Sequence, residues 1–267
     1  MKKFLAQSYI YILLVMLYAP LVIIVVFSFT EARALGNWTG FSTKLYESLF
    51  TGGMANSHSL SAALKNTLII ATISALVATF LGTFSAIGIN SLRGRKRKAI
   101  SFLNSVPMLN PDIITGVSLF LLFVSLGISQ GYTTVVLAHI TFCTPFVVLN
   151  VMPRLMQLNP NIYEAALDLG ATPMQAMRKV IIPQLRSAMF TGFILSFAMS
   201  IDDFVVTVFT KGNKGLETLS TFIYNDARKG GLTPELRPLM SIVFITILTL
   251  LIVANIRSSK QSKNKQK

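Results

Sequence analysis

Charge is scarce in this sequence. Only 13% of the 267 residues are Asp, Glu, Lys or Arg, against 52% hydrophobic residues and a mean hydropathy of +0.62. A soluble domain carries about twice that charge fraction, so a soluble enzyme is excluded and a membrane protein is indicated. Acidic residues are the scarcer sign, 10 Asp and Glu against 24 Lys and Arg, for a formal net charge of +14. The basic residues lie in short segments between apolar runs, which is the pattern of membrane topology, and no nucleic-acid partner is expected. Cys143 is the only cysteine and excludes an intramolecular disulfide. The dipeptide Gly-Lys is absent, and with it any P-loop, so the chain is expected to hold no nucleotide and no cofactor of its own. No Ser/His/Asp or Cys/His constellation occupies the polar segments. His139 and Cys143, four residues apart, fall short of the several convergent ligands that a metal site needs, so they read as packing groups and no metal is expected.

What is present is apolar length. Six runs exceed the roughly 18 residues needed to cross about 30 Å of hydrocarbon as a helix: Tyr9–Phe29, Thr67–Asn90, Ala99–Leu126, Tyr132–Met152, Ser187–Phe209 and Leu239–Ile256. The first is longer than the apolar core of a signal peptide and is followed only by the poor cleavage site Ala32-Arg33-Ala34, so it reads as an uncleaved span. The fold expected is an all-α membrane protein of six transmembrane helices. The chain forms one transmembrane domain over 1–267, with a core at about 64–256 and a basic tail at 257–267.

Charge placement orients the spans. Lys2, Lys3, Arg93, Arg95, Lys96, Arg97, Lys98, Arg154, Arg178, Lys179, Arg186, Arg257, Lys260, Lys263, Lys265 and Lys267 fall on one side. Arg33, Lys44, Lys65, Lys211, Lys214, Arg228, Lys229 and Arg237 fall on the other. The excess marks the first side as cytoplasmic, with both termini there and no Lys or Arg inside any span. The run Arg93–Lys98 and the Lys-rich tail then serve as topology anchors against membrane lipid.

One cytoplasmic loop carries more pattern than a turn needs. Asn159 or Asn161 with Glu164 can start a short helix that Gly170 ends, and Thr172-Pro173 with Gln175 starts a second helix running to Pro183, an expected break. Ala165, Ala166 and Gly170 leave this segment low enough for another protein to approach closely. An amphipathic interfacial segment is the alternative.

The series Glu164-Ala165-Ala166, three residues, Gly170, nine residues, Val180-Ile181-Ile182-Pro183 resembles the EAA motif of ABC importer permeases, EAA-x3-G-x9-I-x-L-P. Val180 and Ile182 depart from it conservatively. The resemblance extends over nearly the whole chain to the PotC-type permeases of spermidine/putrescine importers. It is carried by Tyr18-Ala19-Pro20-Leu21, Asn37-Trp38-Thr39-Gly40-Phe41, Asn110-Pro111-Asp112-Ile113, His139-Ile140-Thr141-Phe142-Cys143, Pro145-Phe146-Val147-Val148, Leu195-Ser196-Phe197 and Ser200-Ile201-Asp202-Asp203. It implies a type I (MetI-like) permease fold in which Glu164, Ala165, Ala166, Asp168, Gly170 and Pro183 belong to a coupling helix seated on an ATPase. The implied partners are a second PotB-like permease, two PotA-like ATPase subunits that hold ATP and Mg, and a PotD-like polyamine-binding protein, in the bacterial inner membrane.

Asp112, Asp202 and Asp203 lie inside apolar runs, where a carboxylate is expensive and marks either a substrate path or a hydrogen-bonded packing group. A polyammonium cargo would meet such carboxylates and aromatic faces, of which Phe204, Trp38 and Tyr46 are candidates, with Ser200 nearby. Pro107 and Pro111 are expected to break the third span near Asp112. Asp202 and Asp203, as neighbours on a helix, would point about 100° apart. Two other readings stay open: the same machine for another cationic cargo, ferric or thiamine-type, and an ion-driven carrier acting alone.

Overall fold

Twenty-six residues from Lys2 to Phe27 form the first helix, α1, apolar on every side and with Val15 and Met16 about 70% exposed, as a helix facing lipid should be. The computed structural model describes residues 2–32, 36–51, 57–159, 161–213, 215–229 and 233–263. Arg33, Ala34, Lys214, Lys265 and Lys267, used above, lie outside them. Helices α2 (Lys44–Thr51), α3 (Ser57–Ser91), α4 (Gly94–Leu109), α5 (Asp112–Ser125) and α6 (Tyr132–Met156) follow. The short α7 (Ile162–Asp168) and α8 (Pro173–Ala176) lead through a π-helical turn, Met177–Ile181, into α9 (Ile182–Asp202). The chain continues as α10 (Val205–Thr210), α11 (Leu219–Arg228) and α12 (Leu236–Lys263), with no strand among the described residues.

Five of these stretches are long and apolar enough to cross a membrane, and the bent pair α4–α5 makes a sixth when its halves are counted as one span. That pair bends at the break expected near Asp112, its halves meeting at 105°. Pro107 sits inside α4 without ending it, and Pro111 begins the new helix, where its missing N–H leaves no bond unmade. The fifth span differs at both ends. It starts near Pro173 and runs through Pro183 without a break, because the π-helical turn comes just before and Pro183 occupies the first turn of α9. It ends at Asp202 rather than Phe209.

The chain divides into two units. The first, Met1–Ser61 with Ile223–Leu248, holds α1, α2 and the N-terminal part of α12. There Phe29 stacks between Phe41 and Tyr46, at 5.5 and 5.0 Å, and the Tyr46 hydroxyl lies 2.7 Å from Ser28 Oγ. Trp38 meets Phe27 edge-on at 6.0 Å. The Ser42 hydroxyl and the Lys44 ammonium at Glu31 hold its carboxyl below the ordinary carboxylate range. Arg237 corrects the expectation of cation-free spans: it occupies the first turn of α12, 1% exposed, and its Nη1 donates to the Ala32 carbonyl at 2.6 Å.

The second unit, Ala62–Phe222 with Thr249–Lys267, holds the remaining spans. Its core joins Ala78 and Ala86 of α3, Cys143, Val147, Val148 and Val151 of α6, and Leu185 and Ala188 of α9. Val147 packs on two glycines. A Cβ on Gly82 would stand 2.6 Å from the Val147 Cβ, and one on Gly192 would stand 3.3 Å from its Cγ1. Overpacking of this kind costs about 1–3 kcal/mol. Gly82→Ala is therefore expected to lower the Tm of the detergent-solubilised protein; an unchanged Tm would mean that α3 and α6 are free to separate.

Candidate functional site: a carboxylate cavity at two broken spans

Two helix breaks build one cavity of about 280 Å³ in the second unit. The first break is the Asn110–Pro111 bend, after which Asp112 opens α5 with its carboxylate at the positive end of that helix. The second follows Asp202. Asp203 is extended there (φ −63°, ψ 126°), and the chain re-enters helix at Val205. Gly116 of α5 lets α10 approach closely, since a Cβ there would meet Phe209 at 2.9 Å. Met108, Asn110, Asp112, Phe142, Phe146, Asp202, Asp203 and Phe204 line the space between.

Among the expected path residues, the structure thus brings Asp112, Asp202, Asp203 and Phe204 to one wall. Asp202 is the last residue of α9 and Asp203 the extended residue after it, so the two are not consecutive residues of one helix. They differ in partners. Asp112 and Asp202 are exposed and accept no hydrogen bond from the described residues. Asp203 has an 8% exposed side chain. Its Oδ1 accepts from the Val206 N–H at 3.2 Å, and its Oδ2 accepts from the Thr207 N–H at 2.8 Å and the Thr207 hydroxyl at 2.7 Å. Ser200 is 3% exposed and bonded to His139 instead of reaching the cavity. Trp38 and Tyr46 belong to the first unit and make the ring contacts described there.

Sequence reasoning missed Phe142, Phe146 and Asn110 as wall residues. Phe142 and Phe146 lie four apart on α6, on the face that also holds His139, and that spacing was the available signal. The wall carries two open carboxylates and three phenyl rings, an arrangement suited to a desolvated organic cation.

The loop between α6 and α9 is a tip held by local caps and stops. Asn159 Oδ1 accepts the Asn161 N–H at 3.0 Å, while the Asn161 side chain caps nothing, so the capping box read at Asn161 and Glu164 does not form. At the other end of α7, Gly170 takes φ +84°. The Gly170 N–H bonds to the Leu167 carbonyl at 2.8 Å and the Ala171 N–H to the Ala166 carbonyl at 3.1 Å, the paired bonds of a Schellman stop. Thr172 and Gln175 close a reciprocal capping box at 3.4 and 3.1 Å. Glu164, Ala165, Asp168 and Gly170 are exposed, Ala166 and Pro183 partly so. Two apolar side chains, Leu169 and Met174, stand out at 89% and 74% exposure. Neither drew attention in the sequence because neither belongs to the motif.

These features define an all-helical membrane protein: apolar spans, a polar cavity at two helix breaks, and a capped two-helix tip between α6 and α9. Residues 78–258 match the family model described as "Binding-protein-dependent transport system inner membrane component", and the chain belongs to that family. It is 36% identical over 261 residues to the spermidine/putrescine transport system permease protein PotC of Haemophilus influenzae, covering 98% of this chain and 99% of that one. It is 35% identical over 234 residues to the putrescine transport system permease protein PotI of Escherichia coli, covering 85% and 81%. Among solved structures, a bacterial ABC transporter involved in import of the acidic polysaccharide alginate superposes with a TM-score of 0.69 at 18% identity over 97% of this chain and 94% of that one. The MetNI methionine ABC transporter does so with a TM-score of 0.59 at 17% identity over 77% and 95%. At these identities the two structures establish the type I ABC importer permease fold.

Proposed function

We propose that this chain is a permease subunit of an ATP-driven ABC importer that moves polyamines, spermidine and/or putrescine, across the bacterial cytoplasmic membrane. The observation that carries the cargo is the pair Asp112 and Asp202, open to one cavity beside Phe142, Phe146 and Phe204. A polyamine brings the cations that these carboxylates lack. The names of relatives that align with nearly the whole chain point the same way.

In this reading a PotD-like binding protein delivers the polyamine, and a second PotB-like permease completes the path. Two PotA-like ATPase subunits hold ATP and Mg, and the tip Glu164–Gly170 seats on one of them, with Leu169 and Met174 as its apolar anchors. The charge asymmetry supports a cytoplasmic tip and cytoplasmic termini. ATP binding closes the ATPase pair, the tip carries the movement through the continuous helix from Pro173 to Asp202, and the cavity opens alternately to each side. The chain breaks no bond itself.

The complete complex in proteoliposomes tests the class of machine. ATP hydrolysis is expected to rise when spermidine-loaded binding protein is added, and spermidine is expected to accumulate only with ATP. Accumulation by this chain alone, driven by an ion gradient, would make it a self-sufficient carrier.

A further inference from the structure

His139 is 1% exposed inside a spanning helix, and passage of a cation between Asp112 and Asp202 makes no use of it. Its ring joins three positions far off in sequence. Nδ1 lies 2.6 Å from Ser200 Oγ on α9, and Nε2 lies 3.0 Å from Thr207 Oγ1 on α10 and 3.4 Å from Asp203 Oδ2 between them. The Thr207 hydroxyl hydrogen goes to Asp203, so its oxygen accepts from Nε2–H, and in the neutral ring Nδ1 then accepts from Ser200. Both ring nitrogens are used, as burial in hydrocarbon requires.

No Gly or Pro lies between Ser196 and Phe209, so no helix breaker obliges the helix to stop at Asp202. A local cap and tertiary contacts hold the break together. The Asp203 carboxylate holds the first turn of α10, Ser220 Oγ donates to the Asp203 carbonyl at 2.6 Å, and His139 grips both sides at once. The same ring meets Phe142 of the cavity wall edge-on at 5.1 Å. Were α9 to run straight on through Phe204, Phe204 and Val205 would leave the wall that Asp202 shares with Asp112.

We infer that His139 is a positioning residue for cargo transfer: it clamps α9 to α10 across the break and so holds the wall beside Asp202. Ser200 and Thr207 act on the cargo through this clamp, without touching it. The inference rests on the cavity being the cargo path.

Uptake of labelled spermidine by cells carrying the complete importer tests it, with membrane levels followed by immunoblot. His139→Ala is expected to lower uptake roughly tenfold, the scale of a lost buried hydrogen bond. Ser200→Ala also lowers it, and the double variant is no lower than His139→Ala alone. His139→Gln, whose amide nitrogen stands in for Nε2, recovers most of the uptake, and adding Ser200→Ala to it changes nothing further. Full uptake in His139→Ala, or a double variant reduced by the product of the two single effects, overturns the clamp. Should His139→Ala fail to reach the membrane, the Gln variant with and without Ser200→Ala decides the same question. Asp202→Asn is measured alongside: loss there with independent His139 and Ser200 effects removes the clamp and leaves the cargo path standing. Undiminished uptake in Asp202→Asn removes the cargo path and the clamp with it.

Discussion

Asp202→Asn is expected to lower spermidine uptake by about ten- to hundredfold at unchanged membrane level. The amide matches the carboxylate in shape, and Asp202 accepts no hydrogen bond from the described residues, so the substitution leaves the fold intact. What it removes is a full negative charge facing an ammonium group. Hydrogen bonds to charged groups are worth about 1.5–3 kcal/mol, which at 1.4 kcal/mol per decade gives the stated range. Asp112→Asn should act in the same direction. It also gives up the interaction of a carboxylate with the start of α5, about 0.3–1 kcal/mol, so a modest fall in Tm accompanies it. Uptake unchanged in both variants, at normal levels, would mean that the carboxylates are packing groups.

Gly170→Arg should abolish coupling while leaving the spans in place. The residue holds φ +84° in the Schellman stop of α7, a conformation costing a side chain with a Cβ about 1–2 kcal/mol. Space itself is open, since nothing lies within 4 Å of a Cβ built there. The damage is therefore to the backbone path of the tip and to whatever docks on it, between Leu169 and Met174. The permease is expected in the membrane at normal amounts, with the ATPase no longer retained on co-purification and uptake at background. Gly170→Asn, which tolerates this conformation, should keep a substantial part of both. Retained ATPase and normal uptake in Gly170→Arg would show that the tip is not the docking element.

The difference between these two sites also explains what could be read in advance. The tip is local. Thr172, Pro173 and Gln175 specify a capping box within four residues, and Gly170 specifies a stop, so sequence and structure agree there. Of the two Asn candidates for the start of α7, it is Asn159 whose side chain makes the bond. The spans were legible from apolar length, but their breaks were legible only where a proline stands, as at Pro111. The break at Asp202–Phe204 depends on His139, some 60 residues away, and periodicity carries no trace of such a contact. One signal was present: Asp203 stands three and four residues before Val206 and Thr207, the spacing at which a carboxylate caps a new helix. Pro183 misled for the opposite reason, because a proline in the first turn of a helix following a π-helical turn breaks nothing.

Polyamine import by way of this chain is tested most directly by uptake of labelled spermidine and putrescine in cells with and without it, in a strain lacking other polyamine importers. Uptake of at least one of the two should disappear on deletion and return with the intact chain. Uptake that persists undiminished in the deletion strain would contradict the polyamine assignment and turn the search to another cation.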